Sequence, residues 1–362
     1  MKAWITHGFN DMRLEDIPIP EPPQGWLLIK VESCQPSVTD TLRLRGIYTM
    51  GHKKIKEILK KGPAQLFGHE CCGEIVKVGK NVSGFKIGDR VSSMGNASCG
   101  ICEYCREGTP EFCTNIRRIG TDTPGWFAEY VIAPATGLIK IPKEMDSKEA
   151  TCLQPFSSAV VSVESANMRP GATVVCLGQG VMGLYCAMIS RACGAGFVIG
   201  IDVRNESLKL ATQLGVDLVI DSSKDDPIES VLKVTGNQGA DVILECAGGS
   251  TNEGLAGQTT IKQAMSIAGR CGTIVQVAHP VLNESLVLDP IPFKEKALKY
   301  VFPKPVTQKQ FRFGINLLSR NRIDIRPLIT HVLNGIENVP QAFDITANKK
   351  EHRATNPAQV II

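Results

Sequence analysis

The segment Gly178-Gln179-Gly180-Val181-Met182-Gly183 decides which fold this sequence predicts. The apolar run Thr173–Leu177 before it has the length and composition of a buried strand, and Val181–Cys193 after it has those of a helix. The segment is therefore a G-x-G-x-x-G pattern in the context that gives the pattern meaning, between a strand and a helix. We interpret it as a loop that holds the diphosphate of a dinucleotide.

Each glycine of this loop has a physical reason to be glycine. Gly178 allows the tight turn, Gly180 lets the backbone come close to a diphosphate, and Gly183 lets the helix pack on the strand. At the helix start, Val181 and Met182 would offer backbone N–H groups and the positive end of the helix dipole to the phosphates. A glycine turn without a ligand remains the alternative.

An acidic residue at the end of the next strand indicates which dinucleotide the loop would hold. Asp202 follows Gly183 at the distance that the pattern requires. A carboxylate here accepts hydrogen bonds from ribose hydroxyls and repels a 2′-phosphate, which favours NAD over NADP. Arg204 lies two residues further on and could pair with a 2′-phosphate, so NADP remains the alternative.

Strands and helices alternate through the middle of the chain, which predicts a doubly wound parallel sheet with helices on both faces. After Thr173–Leu177, the predicted strands are Phe197–Asp202, Leu218–Asp221, Ala240–Cys246 and Gly272–Val277. The predicted helices are Val181–Cys193, Glu206–Leu214, Ile228–Thr235 and Thr260–Ala268.

The sequence on either side of this region has a different pattern. Trp26–Val31 and Gly73–Val78 are short runs rich in β-branched residues between turn residues, and they predict a β-rich domain. His52–Lys61 is a basic helical segment, and Ala358–Ile362 predicts a final strand. We predict one domain from residues 1–155 and 289–362, with the dinucleotide-binding domain, residues 156–288, inserted between its two parts.

Four of the thirteen cysteines lie close together, at Cys99, Cys102, Cys105 and Cys113. Four thiolates at this spacing can surround one Zn²⁺ ion, and a closed site of this kind is structural because it leaves no position for a substrate. The predicted zinc lobe covers residues 95–115, and free or redox-active thiols are the alternative. We expect the cysteines in apolar runs to be buried and unreactive: Cys176, Cys186, Cys193, Cys246 and Cys271.

The composition excludes several classes of protein. The chain has 362 residues, 43% of them hydrophobic and 21% charged, with a formal net charge of +4. These values suit a globular protein of two domains and give no reason to expect nucleic-acid or membrane binding. Neither a signal peptide nor an apolar segment long enough to span a membrane is visible, so we expect a cytoplasmic protein.

Several glycine-rich motifs precede the dinucleotide loop. They are Gly68-His69-Glu70-x2-Gly73-x5-Gly79-x2-Val82, then Gly84-Phe85-x2-Gly88-Asp89-Arg90-Val91, then Gly125–Val131. With the cysteine cluster and the loop, their order resembles the zinc-containing medium-chain alcohol dehydrogenases, especially the polyol, sugar and threonine dehydrogenase branch. The resemblance covers nearly the whole chain. It implies a GroES-like catalytic domain built from both chain ends, a Rossmann domain between them, an active site in the cleft, and a homodimer or homotetramer.

The resemblance also implies a catalytic zinc, but here the sequence departs from the family pattern. His69 and Glu70 match two of the family's zinc-site residues. Ser37 stands where the family has a cysteine ligand, and Gln154 replaces a glutamate. A serine hydroxyl is a poor zinc ligand and a glutamine carbonyl carries no charge.

Three hypotheses about this site therefore remain open. The first retains a zinc in an altered ligand shell, built from His69, Glu70 and one or more of Ser37, Asp40 and Gln154. The second moves Cys34 onto the metal. The third has no catalytic metal and assigns proton transfer to His69, Glu70 or Thr39. In the family, the residue matching Thr39 relays the proton, and we expect Asp40 to orient His69.

The predicted reaction is hydride transfer between a secondary alcohol, or its ketone, and the nicotinamide of NAD, with a polyol, sugar or hydroxy acid as substrate. The alternatives are a metal-poor reductase of a carbonyl or conjugated double bond, and a non-catalytic NAD-binding protein. Arg43, Arg45 and the lysines of the basic helix could meet an anionic substrate, although solvent-exposed basic residues are common. Trp126 and Tyr48 could line a pocket or belong to the core.

Overall fold

The structure is a computed structural model that describes residues 1–47, 51–249, 256–279 and 285–362. The chain forms two compact units, one from Met1–Ser157 with Val306–Ile362 and the other from Ser158–Pro305. No helix in the described ranges is long and apolar enough to cross a membrane. The cytoplasmic location remains a prediction.

Strands and helices are both numbered in chain order. The strands are β1 (Lys2–Gly8), β2 (Asp11–Asp16), β3 (Trp26–Gln35), β4 (Glu70–Val78), β5 (Arg90–Ser93), β6 (Asn96–Ala97), β7 (Arg117–Arg118), β8 (Tyr130–Pro134), β9 (Leu138–Lys140), β10 (Thr173–Leu177), β11 (Phe197–Asp202), β12 (Leu218–Asp221), β13 (Ala240–Glu245), β14 (Ala268–Gln276), β15 (Lys299–Val301), β16 (Val332–Asn334) and β17 (Gln359–Ile361). The helices are α1 (Val38–Leu44), α2 (His52–Lys61), α3 (Glu103–Arg106), α4 (Ser147–Thr151), α5 (Leu153–Ser165), α6 (Val181–Ala192), α7 (Asn205–Gln213), α8 (Pro227–Val234), α9 (Thr259–Ile267), α10 (Pro290–Lys296), α11 (Gln308–Ser319), α12 (Val339–Ala347) and α13 (Lys349–His352).

The second unit contains a parallel sheet with strand order β12-β11-β10-β13-β14-β15. Strands β10, β11 and β12 have the predicted bounds, and helix α6 ends one residue earlier than predicted. The order reverses direction between β10 and β13, and ligands of doubly wound sheets bind beyond the strand ends at such a switch point. The predicted doubly wound parallel sheet is confirmed.

Burial on both faces explains why the strands of this sheet are continuously apolar. Val174–Leu177 in β10 is almost completely buried, as are Ile199 and Ile243 on the neighbouring strands. Helices α8 and α9 contribute Val231 and Ala264 to the same core. Each large aliphatic side chain buried in this way stabilises the fold by about 1.5–3 kcal/mol.

The first unit is β-rich, as predicted, and is built around the sheet β16-β17-β3-β4-β5-β9, with β8 also paired to β3. Strands β3 and β4 are longer than predicted, and their antiparallel register places Gln35 opposite Glu70. The extra residues, 32–35 and 70–72, are glutamate, serine, glutamine and cysteine and include no β-branched residue, so the sequence pattern does not indicate a strand there. The core of this unit includes the fully buried side chains of Ile29, Ile75 and Trp126.

Strand β15 lies after residue 288, the predicted end of the dinucleotide-binding domain. The sequence places the return to the first domain at residue 289, whereas Lys299–Val301 pairs with β14 in the parallel sheet. Three residues are too short a segment for hydrophobic periodicity to indicate a strand. The domain bounds 1–155, 156–288 and 289–362 remain a prediction.

The burial of the scattered cysteines follows the prediction only in part. Cys176 and Cys186 are buried, as predicted, and Cys246 is half-buried. The prediction is wrong for Cys193 and Cys271, which are exposed. Cys193 is the residue after the last turn of α6, and Cys271 has a left-handed backbone with φ of 61°. Cys193 thus follows the end of a helix, and Cys271 lies in an irregular part of β14, and an apolar run reveals neither feature.

Candidate functional site

The glycine loop lies directly after β10, at the switch point of the parallel sheet. Gly178 has a φ of +88°, and a Cβ there would lie 2.8 Å from the Cβ of Ala247. A Cβ at Gly183 would overlap the carbonyl oxygen of Gly178 and lie 2.9 Å from its carbonyl carbon. At Gly180 the nearest atom would be Arg204 Nη2, at 3.7 Å. The first and third glycines are therefore needed for folding, whereas Gly180 is not.

Helix α6 begins at Gly180, and no side chain caps it. Val181 and Met182 form its first turn, so their backbone N–H groups lie at the positive end of the helix dipole. Uncapped N–H groups at a helix start are suited to bind phosphate oxygens. These residues fit the diphosphate of a dinucleotide.

The carboxylate of Asp202 lies against the start of this loop. It accepts hydrogen bonds from the backbone N–H of Gln179 at 2.6 Å and from the backbone N–H of Arg204 at 2.9 Å. The Arg204 side chain contacts the same carboxylate, with Nε at 3.2 Å and Nη2 at 3.3 Å. The acid and the arginine therefore form one polar cluster beside Gly180.

The sequence does not predict the role of Gln179, which is fully buried under the loop. Its amide Nε2 donates to the carbonyl oxygens of Cys176 at 2.9 Å and Gly178 at 3.2 Å. A Cβ on Gly200 in the adjacent strand β11 would lie 2.8 Å from Gln179 Cδ. Gln179 therefore fixes the turn from inside the fold, and Gly200 provides the space for it.

Glu245, at the end of β13, is a second residue that the sequence does not indicate. Its Oε1 accepts hydrogen bonds from the backbone N–H groups of Ala247 at 3.0 Å and Gly248 at 2.6 Å, and from Thr260 Oγ1 at 2.9 Å. Its Oε2 accepts one from Gln276 Nε2 at 2.7 Å. Burial raises the pKa of Glu245 despite these donors. Glu245 holds the segment that packs against Gly178.

The four predicted zinc cysteines come together in the first unit. Their Sγ atoms all lie within 4.8 Å of one another. The backbone N–H of Cys99 donates to Cys113 Sγ at 3.2 Å, and that of Cys102 donates to Cys99 Sγ at 3.4 Å. Tetrahedral zinc with Zn–S bonds of about 2.3 Å needs sulfur atoms about 3.8 Å apart, so the group fits a structural zinc ion.

The pKa values of two of these thiols also suit a cation, whereas desolvation and the hydrogen bond with Cys102 raise the pKa of Cys105 to about 11. Backbone N–H groups of Ile101 and Cys102 lower the pKa of Cys99, and that of Cys105 lowers the pKa of Cys102 to about 6. Strands β6 and β7 pair on either side of the lobe and close it. Zinc is bound by the thiolate form of cysteine, which these donors favour at Cys99 and Cys102.

A second group of predicted residues lies around helix α1. Ser37 is the N-cap residue, and its Oγ accepts a hydrogen bond from the backbone N–H of Asp40 at 2.9 Å. Asp40 Oδ2 accepts one in return from the Ser37 N–H at 3.1 Å, which completes a capping box. The same Oδ2 lies 3.5 Å from His69 Nδ1. Thr39 is half-buried in the first turn of this helix.

The charges in this group are coupled. Burial opposes the ionisation of Asp40, but the attraction of His69 outweighs it and lowers the pKa of the carboxyl. Burial likewise opposes protonation of His69, but Asp40 outweighs it and raises the pKa of the imidazole. Burial raises the pKa of Glu70. Glu70 Oε2 accepts a hydrogen bond from Gln35 Nε2 at 2.5 Å.

The remaining predicted residues of this site are Gln154 and Cys34. A Cβ on Gly95 would lie 3.5 Å from Gln154 Nε2 and 3.6 Å from His69 Cδ2, so these two side chains approach one point. Cys34 is fully buried, opposite Cys71 in the β3–β4 pair, and burial raises the pKa of its thiol far above the usual range. Sequence reasoning missed Gln35 because only the strand register brings it to Glu70.

Acidic, cysteine and histidine side chains form only one metal-sized group in the described ranges, the four-cysteine lobe. The ligand atoms of His69, Glu70 and Asp40 therefore do not all lie within 4.8 Å of one another. Arg43 lies near Asp40 and is half-buried, whereas Arg45 is exposed. Trp126 is a core residue. Tyr48 lies outside the described residues.

Comparisons with known proteins agree with these observations. Residues 23–143 match the family described as the alcohol dehydrogenase GroES-like domain, and residues 181–319 match the zinc-binding dehydrogenase family. The L-threonine 3-dehydrogenase of Bacillus subtilis (strain 168) is 33% identical over 335 residues, which cover 92% of this chain and 91% of the relative. The sorbitol dehydrogenase of the same organism is 29% identical over 332 residues, covering 91% and 89%.

A solved structure of a putative zinc-binding dehydrogenase from Sinorhizobium meliloti 1021 bound to NADP has the same fold. Its TM-score is 0.84 at 28% sequence identity, with 100% of this chain and 99% of that chain covered. A parallel sheet with a dinucleotide loop, joined to a β-rich unit with a zinc lobe, defines a nicotinamide-dependent oxidoreductase. The chain belongs to the zinc-binding alcohol dehydrogenase family. The predicted GroES-like fold with an inserted Rossmann domain is confirmed.

Proposed function

We propose that this protein is an NAD(P)-dependent dehydrogenase that transfers a hydride between a secondary alcohol and the nicotinamide ring. The observation that carries the proposal is the start of α6 at Gly180. No side chain caps the helix there, and the glycine has no side chain, so a phosphate can approach the backbone. The relatives named L-threonine 3-dehydrogenase and sorbitol dehydrogenase support it, since both names denote oxidation of a hydroxyl group. The proposed substrates are small polyols, sugars or hydroxy acids.

In the second unit, we propose that the loop Gly178–Gly183 holds the dinucleotide. The N–H groups of Val181 and Met182 would bind the diphosphate, and Asp202 would accept hydrogen bonds from the adenosine ribose. The bound nicotinamide supplies the hydride acceptor. Asp202 favours NAD, whereas Arg204 would pair with a 2′-phosphate if it turned away from the acid. We propose NAD as the preferred cofactor and NADP as the weaker ligand.

In the first unit, we propose that the residues around α1 bind the substrate hydroxyl and take up its proton. Asp40 would position the imidazole of His69 through the Nδ1 contact at 3.5 Å. Thr39, half-buried in the first turn of the helix, would relay the proton towards solvent. Glu70 would supply a buried carboxyl group next to His69.

The four cysteines of the zinc lobe would hold a structural Zn²⁺ ion, and that ion would stabilise the loop between β6 and β7. Because the site is closed by four protein ligands, its residues take no part in hydride transfer.

Two measurements test the proposal. Fluorescence titration of the purified protein with NADH and NADPH should give saturable binding, with the lower Kd for NADH. Turnover with NAD should then be found within a panel of secondary alcohols, polyols and hydroxy acids. Failure to bind either dinucleotide would exclude the proposed activity.

A second candidate function is reduction of a carbonyl or conjugated double bond with NAD(P)H. Ser37 and Gln154 support it, because they stand at positions where the family resemblance implies a cysteine and a glutamate at the catalytic zinc. Assays of enones and ketones with NADH, run beside the alcohol panel, distinguish the two functions. Any clear turnover excludes the remaining alternative, a non-catalytic NAD-binding protein.

We also propose that the protein forms a homodimer or homotetramer through β15, an edge strand of the parallel sheet. Edge strands carry unpaired backbone groups that can pair with a second copy. Phe302, next to this strand, is 54% exposed although it is large and apolar. Light scattering coupled to size-exclusion chromatography should give a mass of two or four chains, and Tyr300→Pro should lower it.

A further inference from the structure

The side chains around His69 are poorly suited to bind a zinc ion. A zinc site needs several donors that converge on one point, and anionic donors stabilise the ion most. His69 is turned by Asp40 in the way that metal-bound histidines are turned. A single imidazole does not hold zinc, so zinc binding at this site depends on the other side chains.

Ser37 already has a structural role. Its Oγ accepts the hydrogen bond from the Asp40 N–H at 2.9 Å. The residue is buried, with 6% of its surface exposed. A lone pair that caps a helix is directed at the helix backbone, and a neutral hydroxyl offers the metal no charge. The position at which the family has a thiolate is therefore used to fold α1.

The carboxyl group of Glu70 and the amide of Gln154 are no better suited to bind zinc. Glu70 Oε2 is bound by Gln35 at 2.5 Å, and Gln35 Oε1 in turn accepts from Asn356 Nδ2 at 2.9 Å and Gln359 Nε2 at 3.0 Å. This buried network holds the Glu70 carboxylate towards β3 and the C-terminal segment. Gln154 does lie beside His69, but its amide carries no charge.

We infer that this protein binds one zinc ion per chain, in the four-cysteine lobe, and that its inner site acts on the substrate oxygen through His69 without a metal. The inference rests on the proposed function only for its chemical step. The metal count itself follows from the donor groups of Ser37, Glu70 and Gln154.

In that step, the hydroxyl proton of the alcohol passes to Nε2 of His69, while Nδ1 faces Asp40. The carbinol carbon loses its hydrogen with two electrons to the nicotinamide, and the carbon–oxygen bond becomes a carbonyl. One alcohol and one NAD(P)⁺ thus give one ketone, one NAD(P)H and one proton held by His69. Reduction returns the hydride and the proton to the same atoms.

The test counts zinc in the full-length protein. Wild type, His69→Gln and the double variant Ser37→Cys/Gln154→Glu are purified without chelator and incubated with zinc chloride. After gel filtration, zinc is measured by plasma mass spectrometry. We expect one zinc per chain in wild type and in His69→Gln, and two in the double variant, because it regains two anionic ligands beside His69.

Each result decides the inference. Two zinc ions in wild type, or the loss of the single ion in His69→Gln, would overturn it. A count of one in the double variant would overturn the argument from the donor groups, because positions 37 and 154 would then not determine the metal count. The count needs no turnover, so an inactive protein with one zinc would contradict the proposed function and leave the metal inference standing. As an independent check, brief exposure to 1,10-phenanthroline should leave NADH binding and initial turnover unchanged.

Discussion

Replacing Gly180 with alanine separates the binding role of the dinucleotide loop from its folding role. The backbone at Gly180 has a φ of −73° and a ψ of −176°, which any residue adopts, and the nearest atom to a new Cβ would be Arg204 Nη2 at 3.7 Å. The methyl group therefore fits. Because alanine restricts the unfolded chain, we expect the free energy of unfolding to stay unchanged or rise by about 0.4–1 kcal/mol.

The same methyl group would stand where the backbone must approach the diphosphate. We expect the Kd for NADH of Gly180→Ala to rise about 10- to 100-fold, which corresponds to about 1.4–2.8 kcal/mol of binding free energy. Fluorescence titration gives the Kd, and thermal unfolding of the same samples shows that the variant is folded.

Gly183→Ala is the matched control, because it adds the same methyl group three residues further along. Its Cβ would overlap the carbonyl oxygen of Gly178, so we expect a loss of stability of about 1–3 kcal/mol and a lower Tm. The contrast between a stable variant that binds poorly and an unstable one identifies the loop as a phosphate site. If folded Gly180→Ala binds NADH as tightly as wild type, the loop assignment is refuted.

Three further predictions concern single side chains. Asp202→Ser removes the carboxylate next to Arg204 and should raise the affinity for NADPH relative to NADH by about 10-fold or more, measured as the ratio of the two Kd values; an unchanged ratio would contradict the assigned role of the acid. Ser37→Ala removes the cap of α1 and should lower the free energy of unfolding by about 0.5–2 kcal/mol in urea denaturation, while Ser37→Thr retains most of it. Burial raises the pKa of Glu245 above its ordinary value of 4.5, so the folded state holds this proton more tightly and the stability from it is lost as the pH rises through the folded-state pKa. The Tm of wild type relative to Glu245→Gln should therefore fall from about pH 4 upwards, and parallel Tm curves would show that Glu245 does not titrate in this way.

Much of the second unit can be predicted from the sequence because its signals are local. The strand before Gly178 and the helix after Gly180 are recognised from short apolar runs, and the motif fixes their connection. The cysteine lobe is predicted for the same reason, since four ligands lie within one short loop. In both cases the residues that act together are neighbours in the chain.

The polar interior could not be predicted, because its partners are far apart in sequence. Gln35 meets Glu70 only through the β3–β4 register, and Glu245 meets Thr260 of α9 and Gln276 of β14 only in the folded unit. The capping role of Ser37 was not predicted either, although a local signal for it exists. Ser37-Val38-Thr39-Asp40 has the spacing of a capping box, which indicates a helix start and a hydroxyl that is already in use.

The contact between Gln179 and Gly200 has a consequence for redesign of the cofactor loop. Any side chain at position 200 would collide with Gln179 Cδ, at 2.8 Å from its Cβ, and a smaller residue at 179 would leave the Cys176 carbonyl without its amide donor. Each single change is therefore harmful, although a small residue at 179 with a larger one at 200 would refill the space. A library that varies one codon at a time misses this route, so the two positions should be randomised as a pair.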